Sequence, residues 1–99
     1  MTTKRMKTLS RYRSQAGIVY DILNTIAEEG PISPTRIMYG ALLPYDRLKN
    51  MLEHLEEQGL AKKTFEDDRV FYDLTPKGAK VLEELRRVRR LLHSIGIRF

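Results

Sequence analysis

The spacing of the apolar residues changes twice along this 99-residue chain, and the pattern leaves few folds open. Up to about residue 58, apolar side chains recur at helical spacing in three successive stretches. Between Leu60 and Leu74 they alternate instead, which is typical of strands. From Thr75 onward the helical spacing returns. The sequence therefore predicts three helices, two strands and a final helix, in that order.

The residues that flank the apolar stretches favour starting or stopping a helix. Ser33 and Thr75 are good N-caps, and each is followed by a proline, which fits the first helical position. Ser14 is an N-cap of the same kind, and Gly40 is expected to end the second helix. Four helices are expected, over residues 14–29, 33–40, 44–58 and 75 to 94 or 95.

Two short segments between the third and fourth helices have the composition of strands. Leu60–Phe65 is one, and Arg69–Leu74 is the other, with strong strand formers at its centre. Glu66, Asp67 and Asp68 separate them and are expected to form the turn, since aspartate favours turns. The two strands are therefore predicted to form a β-hairpin.

The order of elements predicts an α+β, mainly helical fold. Two short helices joined by a tight turn and followed by a hairpin describe a winged helix-turn-helix, with a long C-terminal helix suited to a coiled coil. Its third helix has about the right size for the major groove of DNA, which is about 12 Å wide. Four regions are expected: a flexible basic arm (1–13), the winged helix-turn-helix (14–75), a dimerisation helix (76–95) and a tail (96–99).

Composition excludes several classes of protein. Hydrophobic residues make up 41% and charged residues 31% of the chain, as in a soluble globular domain. No apolar run approaches the roughly 20 residues of a membrane span, and no secretory signal is visible. There is no cysteine, so disulfides and thiolate chemistry are excluded, and the cytoplasm, with nucleoid association, is the expected location.

Charge divides the chain into three parts. Residues 1–13 carry a net charge of +5, residues 14–75 of −5 and residues 76–99 of +5. A polyanion is the natural partner of the basic ends, although basic ends also serve solubility alone. The arm, which includes Arg11 and Arg13, is expected to lie along the phosphate backbone or in a minor groove of double-stranded DNA.

Particular segments carry a family resemblance that covers residues 14–95. They are Ile18–Leu23, Thr35–Tyr39, Leu43–Tyr45 with Leu48, Leu60–Lys62 and Leu74–Gly78. In these segments the chain resembles the small archaeal winged-helix DNA-binding proteins, including their ten-kilodalton chromatin-associated members, which dimerise by a C-terminal coiled coil. One departure is Pro44, where family members often have serine. The resemblance implies a DNA-binding role and an antiparallel dimer.

The polar face of the third helix holds the residues best suited to reading DNA. Arginine and asparagine bind guanine and adenine edges in a bidentate manner, so Arg47 and Asn50 are candidates for base contacts. Lys49 lies on the same polar surface. The alternative is an ordinary solvated helix face.

Further contacts are expected near the start of that helix. Pro44 and Tyr45 begin it and would lie nearest the groove. Tyr45 either donates a hydrogen bond to a phosphate or packs beside Leu48, and both readings stay open. Arg36, on the second helix, is expected to contact a phosphate because that helix crosses the backbone in this arrangement.

The wing opposes the DNA interpretation in part. Its acidic tip repels phosphates and is not expected to enter the minor groove. Lys62, Lys63 and Arg69 flank the tip and are expected to contact the DNA backbone from the strands.

The last helix predicts self-association. Its coiled-coil seam leaves apolar residues in water unless something covers them, and a two-fold homodimer is the commonest solution. Ala79 and Leu82 widen the apolar face near the start of the helix and are expected to cover the domain core. The alternative to a dimer is that the helix folds back on its own domain. The seam does not decide between parallel and antiparallel pairing. Its residues are Val81, Leu85, Val88, Leu92 and Ile95.

No catalytic group, metal site, cofactor motif or small-molecule site is recognised. His54 and His93 lie on different helices without a nearby ligand pair, and there is no glycine-rich phosphate loop. The expected function is therefore a homodimeric transcriptional regulator, not an enzyme. Two alternatives are a nucleoid protein without sequence preference, which would depend on the arm and on the arginines of residues 86–90, and a winged helix that binds other proteins. A DNA-binding protein should keep Arg47 and Lys49 free of salt bridges.

Overall fold

The computed structural model describes residues 13–99, which form four helices and a two-stranded sheet. The predicted element order and the mainly helical α+β class are confirmed. The elements are α1 (Gln15–Glu29), α2 (Pro34–Ala41), α3 (Tyr45–Glu57), β1 (Ala61–Glu66), β2 (Arg69–Leu74) and α4 (Pro76–Ser94).

The predicted N-caps of three helices are confirmed. The hydroxyl groups of Ser14, Ser33 and Thr75 each accept a hydrogen bond from the backbone N–H three residues later. Each bond satisfies one of the amide groups that a helix leaves unpaired at its start. Gly59 follows α3 with φ of 76°, a left-handed conformation that glycine adopts without strain.

Two predicted helix boundaries are wrong. Gly40 lies inside α2, which runs to Ala41 and has Leu42, in the left-handed conformation, as its C-cap. Gly40 is needed for packing, because a Cβ there would lie 2.5 Å from Cγ2 of Thr25 on α1. Pro44 is the N-cap of α3 rather than its first residue, with extended backbone and no side-chain cap.

The hairpin turn is shorter than predicted. Glu66 is the last residue of β1 and pairs with Arg69, so the turn consists of Asp67 and Asp68 alone. Both have positive φ, 52° and 64°, as a tight two-residue hairpin turn of the mirror-image kind requires. Aspartate tolerates this conformation better than most residues.

A short contact ties the helices to the hairpin, and the sequence did not predict it. The Ile32 N–H donates to the Tyr72 carbonyl at 3.0 Å, and the Tyr72 N–H donates to the Ile32 carbonyl at 2.8 Å. This pair of bonds attaches the link between α1 and α2 to β2, and so sets the position of the wing relative to the helices.

The core lies where the first three helices meet the base of the wing and the first half of α4. Leu82 covers it as predicted, but Ala79 is exposed and does not. Gly78 lets α4 approach the wing base, since a Cβ there would lie 1.9 Å from the Leu60 carbonyl oxygen. The most completely buried side chains are Ile22, Leu23, Ile26, Ile37, Leu48, Leu52 and Leu55.

Beyond α4 the chain returns to the domain. It turns at Gly96, where φ is 74°, and Phe99 packs edge-on against Tyr20 of α1 with ring centroids 5.9 Å apart. Phe99 is therefore covered by its own domain, because the tail folds back.

Candidate nucleic-acid interface

Helix α3 separates an apolar face from a polar one. Leu48, Leu52 and Leu55 recur at helical spacing and are all buried. The three candidate base-reading and backbone residues, Arg47, Lys49 and Asn50, are all exposed. The sequence pattern thus fixes which face the helix presents to solvent.

The candidate residues occupy two flanks of that exposed face. Arg47 and Asn50 line one shallow cavity of about 310 Å³ with Gln15 of α1 and His54. Lys49 lies on the other flank, where it lines a cavity of about 190 Å³ between α3 and the wing. The separation follows from helix geometry, since residues two apart project about 160° from each other at 3.6 residues per turn.

Charge is distributed unevenly along α3. Its second half carries Glu53, Glu56 and Glu57, whereas its first half combines Asp46 with both cations of the helix. Within residues 13–99, neither Arg47 nor Lys49 forms an ion pair. The first half of α3 is therefore the part whose positive charge stays available to an anion.

The start of α3 and helix α2 contribute further exposed groups. Tyr45 is half exposed, and Pro44 is exposed beside it. Arg36 lies on α2 and donates to the Glu29 carboxylate at 2.8 Å, a hydrogen bond that raises the pKa of Arg36. Arg36 thus has an internal partner but stays largely exposed.

The wing presents its predicted cations unequally. Lys62 and Arg69 are exposed. Lys63 lies 3.8 Å from the Glu56 carboxylate and 5.9 Å from the centre of the Tyr72 ring, so it is partly occupied within the domain. Burial raises the pKa of Tyr72, and the charge of Lys63 acts in the opposite direction.

Arg11 and Arg13 are the two arginines of the basic arm that were named as candidate DNA contacts, and Arg13 is the one that the described residues include. Arg11 lies outside the described residues. Arg13 pairs with the Asp21 carboxylate and donates to the Leu42 carbonyl at 2.9 Å, so it turns toward the domain. Sequence reasoning missed these contacts because the partners lie 8 and 29 residues away, and no local pattern indicates them.

The seam of α4 is covered in its first half and open in its second. Val81 and Leu85 pack against the core. Val88 and Ile95 are 43% and 60% exposed, while Leu92 is half-buried. The apolar surface near the end of the helix thus has no cover within residues 13–99.

Two of the four arginines of residues 86–90 contact another helix of their own domain. Arg86 donates to the Asn24 side chain at 2.8 Å, and the guanidinium of Arg89 lies 5.1 Å from the centre of the Tyr20 ring. Arg87 lies 3.9 Å from Glu84 on the same helix.

Residues 13–99 hold no cluster of three or more histidine, cysteine, aspartate or glutamate side chains able to bind a metal ion. In the same part of the chain, no helix is both long and apolar enough to span a membrane.

Three helices with the second and third in tandem, followed by a two-stranded wing, define the winged helix-turn-helix class. A profile of the winged helix-turn-helix family matches residues 12–93, and this chain belongs to that family.

Two archaeal relatives come from Methanocaldococcus jannaschii. Uncharacterized protein MJ0287 is 32% identical over 82 residues, which cover 83% of this chain and 79% of that one. Uncharacterized protein MJ0290 is 33% identical over 81 residues, but this chain spans only 36% of its length.

Solved structures of other proteins have the same fold. Sso10a-2, a DNA-binding protein from Sulfolobus solfataricus, is 31% identical, with a TM-score of 0.70, and the match covers 84% of this chain and 88% of that one. The transcriptional regulator BldR from the same organism matches with a TM-score of 0.73 over 95% of this chain and 75% of its own. At 20% identity, BldR shows the likeness of fold alone. The resemblance to archaeal winged-helix proteins is thereby confirmed.

Proposed function

We propose that this chain is a homodimeric transcriptional regulator that binds double-stranded DNA with the first half of α3 in the major groove. The observation that carries the proposal is the exposure of Arg47 and Lys49, without ion pairs in residues 13–99, at the start of a helix whose other face is buried. The likeness to Sso10a-2, which is described as a DNA-binding protein, supports it over most of both chains.

The two flanks of α3 have different roles in this proposal. Arg47 and Asn50 share one flank, so together they read base edges through bidentate hydrogen bonds. Lys49, on the flank toward the wing, contacts the phosphate backbone. The acidic second half of α3 stays outside the groove because Glu53 and Glu57 would repel phosphates.

Secondary contacts come from around α3. Tyr45 and Arg36 donate to phosphates, with Arg36 held in place by its bond to Glu29. Lys62 and Arg69 contact the backbone from the wing, with Lys63 contributing less because Glu56 partly neutralises it.

The dimer of this proposal forms through the second half of α4. Leu91 and Ile95 are each 60% exposed, and Ile97 just beyond them is 50% exposed. Val88 continues the same apolar surface toward the middle of the helix. A contiguous apolar surface of this kind indicates an interface, and a second copy of the chain is the simplest cover.

A groove beside the first half of α4 favours antiparallel pairing. It has a volume of about 310 Å³ and is lined by Val19 of α1, Met51 of α3, and Val81 and Leu85 of α4, among others. An antiparallel partner would lay its exposed C-terminal half against this groove in both copies at once. A parallel partner would leave the groove empty.

DNA binding is tested by fluorescence anisotropy with random and mixed-sequence duplexes at about 50 and 200 mM salt. Affinity should fall by roughly 10³ to 10⁵ over this range if six or more phosphate contacts form. Lys49→Ala should lower the slope of log affinity against log salt by about 1. Lys80→Ala removes the same charge from an exposed position on α4 and should leave the slope unchanged.

The alternatives are outcomes of the same titration. Binding without sequence preference at high salt would instead indicate a nucleoid protein. An absence of binding at low salt would overturn the DNA proposal and favour the second candidate, a protein-interaction module. The observation that favours this candidate is the exposure of two large apolar residues, Tyr39 in α2 and Leu42 just after it, which are 66% and 79% exposed.

The dimer is tested by light scattering on the eluate of a size-exclusion column. Leu91→Glu places a charge in the proposed interface and should convert a dimer of two 11.6 kDa chains to monomer. Lys80→Glu introduces the same side chain on the same helix and should leave the dimer intact. A wild-type monomer at all concentrations would overturn the proposal.

A further inference from the structure

The guanidinium of Arg13 connects two distant parts of the domain. One of its nitrogens pairs with the carboxylate of Asp21 on α1, and the other donates to the backbone carbonyl of Leu42 at 2.9 Å. The side chains of Arg13 and Asp21 are only 26% and 34% exposed, so the pair is partly shielded from solvent and salt.

The backbone at Leu42 is the strained position of the helix-turn-helix. Leu42 adopts φ of 55° and ψ of 52°, a left-handed conformation that costs about 1 kcal/mol or more in a residue other than glycine. Its side chain is 79% exposed, so core packing does not hold it there. The bond from Arg13 is a tertiary contact that fixes its carbonyl.

The same turn decides where α3 begins. The N–H groups of Leu42 and Leu43 both donate to the Met38 carbonyl, and α3 starts two residues after Leu43. A shift of the Leu42 carbonyl would therefore move the first turn of α3, the part that carries Arg47.

We infer that Arg13 and Asp21 are positioning residues that hold the turn before the recognition helix, and that Arg13 does not contact a phosphate. The effect on DNA affinity depends on the proposed function above, whereas the hold on the turn does not. Charge makes the two roles separable, because removing the Asp21 carboxylate adds +1 to the net charge and should, by electrostatics alone, strengthen DNA binding.

The affinity test compares two variants with equal charge. Asp21→Asn should weaken DNA binding by about tenfold at low salt, because it removes the charged partner that orients Arg13. Glu84→Gln removes a carboxylate at an exposed position on α4 and should leave binding equal to or slightly tighter than wild type. Arg13→Lys keeps the charge but loses the planar fork, so it should weaken binding nearly as much as Arg13→Ala, with the salt slope of wild type.

A second readout tests the turn without DNA. Amide hydrogen exchange should become faster at Leu42 and Leu43 in Asp21→Asn and Arg13→Ala, while the Ile32 and Tyr72 amides, which bridge the helices to the wing, keep their wild-type rates. Faster exchange at all four amides, or unchanged exchange at Leu42 and Leu43, would overturn the inference. So would tighter DNA binding by Asp21→Asn. If the wild-type protein fails to bind DNA, the proposed function fails, and the exchange rates still decide whether the pair holds the turn.

Discussion

Helix α3 and the wing lie beside each other, but their exposed ends carry opposite charge. The first half of α3 exposes Arg47 and Lys49 without ion pairs in residues 13–99. The wing ends in Asp67 and Asp68, and Lys63 in its first strand lies close to the Glu56 carboxylate.

The charged residues of the two elements serve different purposes. On α3, polar side chains are carried by a helix whose position is fixed by buried leucines, so their placement is rigid. At the wing tip, the aspartates serve the turn itself, which needs positive φ at both positions. We therefore expect α3 to supply affinity and the wing to limit it, and the experiments below test that contrast.

The largest effect, on stability, is expected from a clash between α4 and the backbone at Leu60, where the wing begins. Gly78→Ala would place a Cβ 1.9 Å from the Leu60 carbonyl oxygen, a backbone atom that cannot rotate away. We expect a loss of about 3 kcal/mol or more in the free energy of unfolding, measured by urea denaturation followed by circular dichroism.

A matched glycine variant controls for helix propensity. Gly40→Ala meets the Thr25 side chain at 2.5 Å and should be rescued in part by Thr25→Ser, which removes the clashing methyl group. No such rescue exists at Gly78. Equal stability of Gly78→Ala and wild type would show that the wing base is not held by this contact.

Next in size is the loss of a base-reading residue from α3. Arg47→Ala should cost about 1 to 3 kcal/mol on a preferred duplex, which is about fivefold to 150-fold in affinity, and much less on random DNA. Competition anisotropy with both duplexes measures the ratio. A uniform loss on all duplexes would reassign Arg47 to the phosphate backbone.

A smaller effect, of opposite sign, is expected at the wing tip. The double variant Asp67→Asn, Asp68→Gly removes two carboxylates and supplies a dipeptide suited to this turn. We expect DNA binding about two- to fivefold tighter at low salt, with the gain lost at high salt. The double variant Glu83→Gln, Glu84→Gln makes the same change of charge on α4, and an equal gain there would show that only net charge matters.

The smallest effect concerns the inner side of the wing. Because burial raises the pKa of Tyr72 above its ordinary value, the folded state keeps this proton after the unfolded state has lost it. Stability is therefore unaffected below about pH 10 and falls as the pH rises further. Tyr72→Phe should reduce this alkaline loss, as measured by thermal denaturation between about pH 9 and 11. Identical alkaline profiles would show that the phenol does not contribute.

The helices were predictable because their signals are local. Ser33 followed by Pro34, and Thr75 followed by Pro76, specify helix starts through contacts within one turn. The polar face of α3 followed in the same way from the spacing of its leucines. The predicted end of α2 at Gly40 was wrong, because the sequence alone does not distinguish a glycine that ends a helix from a glycine that lets a neighbouring helix pack closely.

In the candidate site, too, the residues predicted from local spacing were placed correctly, whereas a residue assigned from composition was not. Helical spacing predicted that Arg47, Lys49 and Asn50 face solvent, and all three are exposed, but Lys49 lies on the flank toward the wing and the other two on the opposite flank. Arg13 was assigned to a basic arm from composition, yet it binds Asp21 and the Leu42 carbonyl inside the domain. Composition reports the charge of a segment but not which groups of opposite charge the fold brings near it.

By itself, the sequence determined the order of the helices and strands, the caps of three helices and the face that α3 presents, because these depend on residues within a few positions of one another. Tertiary structure alone decided which cations stay free, how the Ile32–Tyr72 bridge seats the wing and how Phe99 returns to Tyr20. These features join residues that are up to 79 positions apart in the sequence, and only the packing of the core places them within contact distance.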